Sequence, residues 1–424
     1  MYPQLPPFDK FESSKSSAGQ PATSSLEWCS LMSLKPSHYV DSAQKFEALL
    51  RQLSSHAVIG LDTEFISEGR YEPELCLVQL STPEEIFIVD PIALPALRPM
   101  WELLASPGRE IVTVAARQEI KFCAKGAAAA PSCVLDLQIA AGLLGYGYPL
   151  SHTNLCLRIL NAKVNGGESF SDWRKRPLRP VQLEYAADDV RYLLPMREKL
   201  LARAQQLNRS NWVRGECAAL VSTVMREDER WRISGSARLS RRHLAVLREV
   251  WRWRDRQARS LNVPAARVLG DSMLIEIARR SPATVDDLFS IRGLDSRLLR
   301  KAEHEVVSAV DIARALPESE LPGNERRDDP PQVAVLTKLL SLAVSNLAAE
   351  ADVDTALLAT TSDLQEIVRW FLDREGTPTP QTLEGWRGEI LQEALIGFLE
   401  GNRVVRVGNV RRPNPLIFEP FPKN

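Results

Sequence analysis

The stretch "VIGLDTEFISEG", residues 58–69, decides how this chain reads. Val58-Ile59-Gly60-Leu61 is an apolar run of the kind that forms a buried strand, and Asp62 and Glu64 follow at its end. Alternation along a strand places these two carboxylates on one face and Thr63 on the other. Two acids side by side at the end of a core strand repel each other unless a cation lies between them. A lone Asp-x-Glu pair is most often a solvated turn, so the pair needs support from elsewhere in the chain.

Outward from this strand, "SAQKFEALLRQLSS" (42–55) has the periodicity of an amphipathic helix feeding into it. "ELCLVQLST" and "EIFIVDPI" read as two short strands whose break at Pro83-Glu84-Glu85 suits a hairpin. A helical segment near 95–105, a strand over 110–114 and a helix over 117–123 follow. "CVLDLQIAAGLLGY" (133–146) starts as a strand and continues as a helix, and residues 179–207 read as one long helical run. Interleaved strands and helices predict an α/β domain within residues 26–207, after a Pro- and Ser-rich segment, 1–25, expected to be disordered.

Beyond residue 208 the strand signals fade. A helical connector (208–237) leads to a small helical domain (238–318) punctuated at Asn262-Val263-Pro264, at Gly293 and at Ser281-Pro282, which reads as an N-cap followed by a first-turn proline. A proline-rich charged stretch, 319–332, reads as a linker. Residues 333–424 form a third, mostly helical unit, with "RVVRVG" and "PLIFEP" as a terminal hairpin.

Composition narrows the function classes. At 424 residues the chain exceeds one ordinary core. Its net charge of −1 supplies no overall basic field, so attraction to nucleic acid must come from local patches. Six cysteines without a CxxC pair, and five histidines, argue against a zinc site of usual spacing and against a dense disulfide framework. No run approaches the roughly 18 consecutive apolar residues of a membrane span, and the first residues lack a signal-peptide core. A cytoplasmic protein is expected.

A second carboxylate feature lies in "LEYAADDVRYLL". On a helix, Tyr185 and Asp189 stand at i and i+4 and share a face, whereas Asp188 is rotated by about 100°. Asp62, Glu64 and Asp189 together make an oxygen-rich set suited to Mg²⁺ or Mn²⁺. Two such ions stabilise the attacking and leaving oxygens of a phosphodiester cleaved in line.

"GLDTEF", "AARQEIKFC" and "YAADDVRYLLP", in that order, resemble the three motifs of the DEDD 3′–5′ exonucleases of the tyrosine subtype, and "SDWRKRPL" narrows the resemblance to the ribonuclease D family. The resemblance implies a ribonuclease H-like mixed-sheet exonuclease domain followed by one or two helical HRDC-like domains. It implies two divalent ions, Mg²⁺ or Mn²⁺, with Asp62 bridging them, Glu64 and Asp189 completing the first ion's shell, and Tyr185 orienting the attacking water. Glu119 would support the second ion at a position where the family usually carries Asp; it keeps the charge and adds a methylene. The products would be nucleoside 5′-monophosphates. The substrate would be RNA with a free 3′ end, such as a tRNA precursor, and the chain would act as a monomer.

Trp173 and Arg176 of "SDWRKRPL" are candidate contacts to the substrate strand, with a core Trp and a structural Arg as the plainer reading. Asp136, in "VLDLQIA", is expected to cap or orient its helix instead of joining the ligands. Residues 239–294 resemble the HRDC module. Nine arginines between Arg238 and Arg267 face only Glu249 and Asp255, which predicts a local basic surface for RNA, with Arg252 and Arg254 as candidate contacts. Residues 333–424 resemble the C-terminal extension of some ribonuclease D proteins, a degenerate second HRDC unit. Two other readings are a same-fold exonuclease acting on DNA and an RNA-binding scaffold with a weakened site.

Overall fold

The computed structural model describes residues 35–421 apart from 95, 165, 169–170, 227–228, 295–296, 324–328 and 374–376. The segment 1–25 and the start of order near Leu26 lie outside the described residues. Two compact units divide the chain. One takes the described residues up to Glu64, Cys76–Arg226 and the chain from Pro330; the other takes Phe65–Leu75 and the described part of 229–329.

The first unit is built on a six-stranded mixed sheet. Its strands are β1 (Ser37–Val40), β2 (Val58–Ile66), β3 (Glu74–Ser81), β4 (Ile86–Val89), β5 (Glu110–Thr113) and β6 (Val134–Asp136), in the order β1-β4-β3-β2-β5-β6. β3 runs antiparallel to β4, whereas β1 pairs with β4, and β5 with both β2 and β6, in parallel. β2 and β3 lie at the centre, and Ile59, Leu61, Leu77, Val78 and Leu80 are buried there. β1 was not legible as a strand; only its pairing with β4 defines it.

Helices cover the sheet: α1 (Ala43–Ser54), α2 (Arg98–Ala105), α3 (Arg117–Ala127), α4 (Leu137–Leu143), α5 (Pro180–Arg191), α6 (Leu193–Gln206) and α7 (Ser210–Met225). The single helix expected over 179–207 is two, parted at Tyr192. Pro195 has no N–H to give the Arg191 carbonyl, so the backbone ladder fails there.

The second unit packs α8 (Arg241–Leu261), α9 (Asp271–Arg280) and α10 (Glu303–Ala315) around Leu244, Leu247, Val250, Trp253, Leu274 and Val310. Tyr71 belongs to this unit. Its hydroxyl donates to Asp255 (2.6 Å), and its backbone N–H donates to the Asn262 amide oxygen (3.2 Å). Ser281 is not the expected N-cap. It closes α9 in the left-handed region (φ 46°), and Thr284 caps the next short helix through a reciprocal pair with Asp287.

The C-terminal helices α11 (Pro331–Ala351), α12 (Thr361–Leu372) and α13 (Gly385–Leu399) and the hairpin β7 (Arg403–Val407) and β8 (Leu416–Pro420) belong to the first unit. Trp386 stacks on Trp212 of α7 at 5.1 Å, and Glu216 accepts hydrogen bonds from Trp386 Nε1 (2.9 Å) and both Arg387 terminal nitrogens (2.5 and 2.7 Å). α11 is long and apolar enough to cross a membrane by length and composition. Here it buries Val333, Leu340, Ala343, Val344 and Ala348 inside the unit.

Candidate active site

Asp62 and Glu64 point where alternation predicted. A Cβ on Gly60 would fall 2.2 Å from Ser81 Oγ and 3.2 Å from Leu193 Cδ1, so glycine permits a close approach of strand, strand and α6. Ser81 Oγ donates to the Val190 carbonyl of α5 at 2.9 Å. Gly60 and Ser81 therefore face α5 and α6, and Asp62 and Glu64, two and four residues beyond Gly60, share that face. α5 carries Tyr185 and Asp189 there. Ala186, Ala187 and Val190 are fully buried against the sheet, their small side chains seating the helix closely.

Asp189 accepts a hydrogen bond from Tyr185 and is charged against Asp62 and Glu64. His152 Nδ1 stands 3.6 Å from Asp189 Oδ1. Burial pushes this imidazole down to about 4, so it faces Asp189 uncharged near neutral pH. His152 had no sequence signal, because its pairing depends on how the 152–160 segment packs.

Glu119 lies in the first turn of α3, a favourable place for an acid. It is buried at 5% exposure, and its Oε1 accepts a hydrogen bond from Thr63 Oγ1 at 2.9 Å. The added methylene thus brings the carboxylate to the same strand end from the other side of β2. Asp136 takes the structural role expected of it. Its carboxylate accepts backbone N–H bonds from Gln138 (2.8 Å) and Ile139 (3.3 Å), capping α4, and from Ala115 (3.3 Å) and Ala116 (2.9 Å) at the start of α3. One side chain therefore ties two helix entrances, including the one that carries Glu119.

Electrostatics bind the four acids into one group. Burial raises the proton affinity of Asp62, Glu64, Glu119 and Asp189, and the charges of the neighbouring acids raise it further for Glu64, Glu119 and Asp189. Glu64 reaches about 8. Such a set is chemically suited to a hard divalent cation, which would offset the mutual repulsion. The fit lies in the donor chemistry: among the described residues no three His, Cys, Asp or Glu side chains are already gathered into a cage for an ion.

Each candidate nucleic-acid contact is packed or bonded within the fold. Trp173 is 1% exposed and packs its ring 6.0 Å from that of Tyr185, so it is core beneath the tyrosine. Arg176 forks onto Asp90 (2.6 and 2.7 Å) and donates to the Cys76 and Trp173 carbonyls. Tyr39 donates to the same Asp90. Arg254 is 5% exposed and is spent on Asp271 and the Leu269 carbonyl. Arg252 pairs with Glu229 and Glu249. Arg241, Arg242, Arg248 and Arg259 likewise bond to carbonyls or acids of their own unit, while Arg241 and Arg259 keep 46% and 51% of their side chains exposed, so part of the expected basic surface is neutralised in place.

A mixed sheet brings acids from two strand positions and two helices together near its centre, and the family model described as 3′–5′ exonuclease matches residues 37–205. A second model, the HRDC domain, matches residues 243–310. Ribonuclease D of Gluconacetobacter diazotrophicus is 33% identical over 381 residues, covering 88% of this chain and 95% of that protein. Ribonuclease D of Acidiphilium cryptum is 31% identical over the same length, with 88% and 95% covered. The crystal structure of Escherichia coli RNase D, described as an exoribonuclease involved in structured RNA processing, superposes with a TM-score of 0.76 at 26% identity over 86% of this chain and 98% of that one. The chain belongs to the ribonuclease D family and is a 3′–5′ exoribonuclease. Enzymes with this exonuclease domain are generally dependent on divalent metal ions.

Proposed function

We propose that this exoribonuclease trims the 3′ ends of structured RNAs such as tRNA precursors, releasing nucleoside 5′-monophosphates with two bound divalent ions, Mg²⁺ or Mn²⁺. The observation that carries the reading is the convergence of Asp62 and Glu64 on β2 with Asp189 of α5 and with Glu119, which Thr63 holds at the same strand end. Asp62, Glu64 and Asp189 would hold one ion, and Asp62 with Glu119 the other. Bound there, the ions would supply charge neutralisation at the scissile phosphate and a more acidic water. Tyr185, held by Asp189 and backed by Trp173, presents its hydroxyl beside the acids to orient a nucleophilic water. Thr63 fixes the reach of Glu119.

The helical domain adds RNA affinity in this reading, through side chains other than Arg252 and Arg254. A monomer in a reducing cytoplasm fits the five described cysteines, all unpaired. The test supplies a tRNA precursor with extra 3′ nucleotides, and a DNA of the same sequence, in Mg²⁺ or Mn²⁺. Stepwise loss of the RNA's extra nucleotides as 5′-monophosphates is expected. Oligonucleotide products, or equal trimming of the DNA, would contradict the reading.

A further inference from the structure

Gln79 lies in the middle of β3 and is 0% exposed. Among the described residues neither its amide oxygen nor its amide nitrogen has a hydrogen-bond partner. A buried primary amide left unpaired costs stability at both ends, and a leucine or methionine would fill the same space without that penalty. Such a group calls for a partner beyond the described side chains.

Its position says what. Ser81, two residues along β3, faces α5 through its bond to the Val190 carbonyl and stands against Gly60 of β2. Gln79 therefore shares the sheet face of Asp62 and Glu64, on the adjacent strand and beneath the helix that bears Tyr185 and Asp189. The amide combines a donor and an acceptor without charge, and it lies on the strand next to the one that carries Asp62 and Glu64.

We propose that Gln79 is a positioning residue of the nuclease site: its amide engages the acid cluster through a water shared with the Asp62 carboxylate, and this link fixes the carboxylate's orientation when the site is loaded. The inference rests on the exonuclease reading of that cluster. A neutral amide suits the role, because a second carboxylate would add to the repulsion and a cation would compete with the divalent ion.

The test uses the full chain with Gln79→Met, and Gln79→Leu as a second apolar replacement of similar volume. Thermal midpoints are measured in EDTA and in Mn²⁺, and kcat and KM on 3′-labelled single-stranded RNA. Both variants should melt at or above the parent in EDTA, gain less from Mn²⁺ than the parent does, and lose at least tenfold in kcat with KM within about twofold. A kcat within twofold of the parent would overturn the proposal while leaving the exonuclease reading intact. So would failure of both variants to fold, since the amide would then serve the core. Parent protein inactive alongside an Asp62→Ala control would instead count against the exonuclease reading itself.

Discussion

Replacing Glu64 by Gln should make the metal-free protein more stable while abolishing turnover. Glu64 sits beside Asp62 and Glu119, and burial and these two charges raise its carboxyl from an ordinary 4.5 to about 8. At about 1.4 kcal/mol for each tenfold in proton affinity, holding it in the fold near neutral pH costs about 3 kcal/mol relative to the unfolded chain. Between pH 4.5 and pH 8 the unfolded chain ionises Glu64 and the fold resists. Unfolding therefore releases a proton, and raising the pH through this window drains stability that is fully present at its acid end. Glu64→Gln removes that dependence. In EDTA at pH 8 the variant should melt several degrees above the parent, with the gap closing toward pH 5. Differential scanning calorimetry from pH 5 to 8.5 reads both effects. A variant no more stable than the parent at pH 8, or a gap that does not shrink on acidification, would show that the four acids are not a strained cluster awaiting a cation.

Three other outcomes follow from named contacts. Tyr185→Phe removes the hydroxyl that Asp189 holds, so kcat should fall by about 10²-fold while RNA affinity, read by fluorescence anisotropy, stays within twofold. Thr63→Val strips the donor from Glu119 and should cost about 1–2 kcal/mol in stability together with weaker Mn²⁺ binding by calorimetry, whereas Glu119→Asp should keep or raise activity; complete loss in the latter would refute the assignment of that position. Arg387→Ala breaks the fork onto Glu216 and should destabilise the first unit by about 2 kcal/mol in urea melts, with no change in kcat on short RNA.

The acids were legible because a strand's alternation and a helix's i, i+4 spacing are local rules. Those rules placed Asp62, Glu64, Tyr185 and Asp189 on faces that the fold then brought together. The arginines were harder to read for the opposite reason. Whether Arg176 or Arg254 meets RNA or a neighbouring carboxylate depends on which acid the fold delivers, and Asp90 and Asp271 come from other elements. Trp173 was readable either as a strand contact or as a core aromatic, and its burial against Tyr185, a tertiary fact, decides for the core. Thr63, His152 and Gln79 look ordinary in sequence, because nothing local marks a hydroxyl, imidazole or amide whose partner lies on another element. The break at Tyr192 was available in principle from Pro195, but the apolar periodicity on both sides concealed it.

The most direct test is crystallography of the parent chain soaked in Mn²⁺, with anomalous difference maps collected beside an Asp62→Ala crystal. Two peaks are expected, one within ligand distance of Asp62, Glu64 and Asp189 and the other between Asp62 and Glu119, and both should vanish in the variant. A parent map with no peak near Asp62, or peaks that persist in Asp62→Ala, would contradict the account.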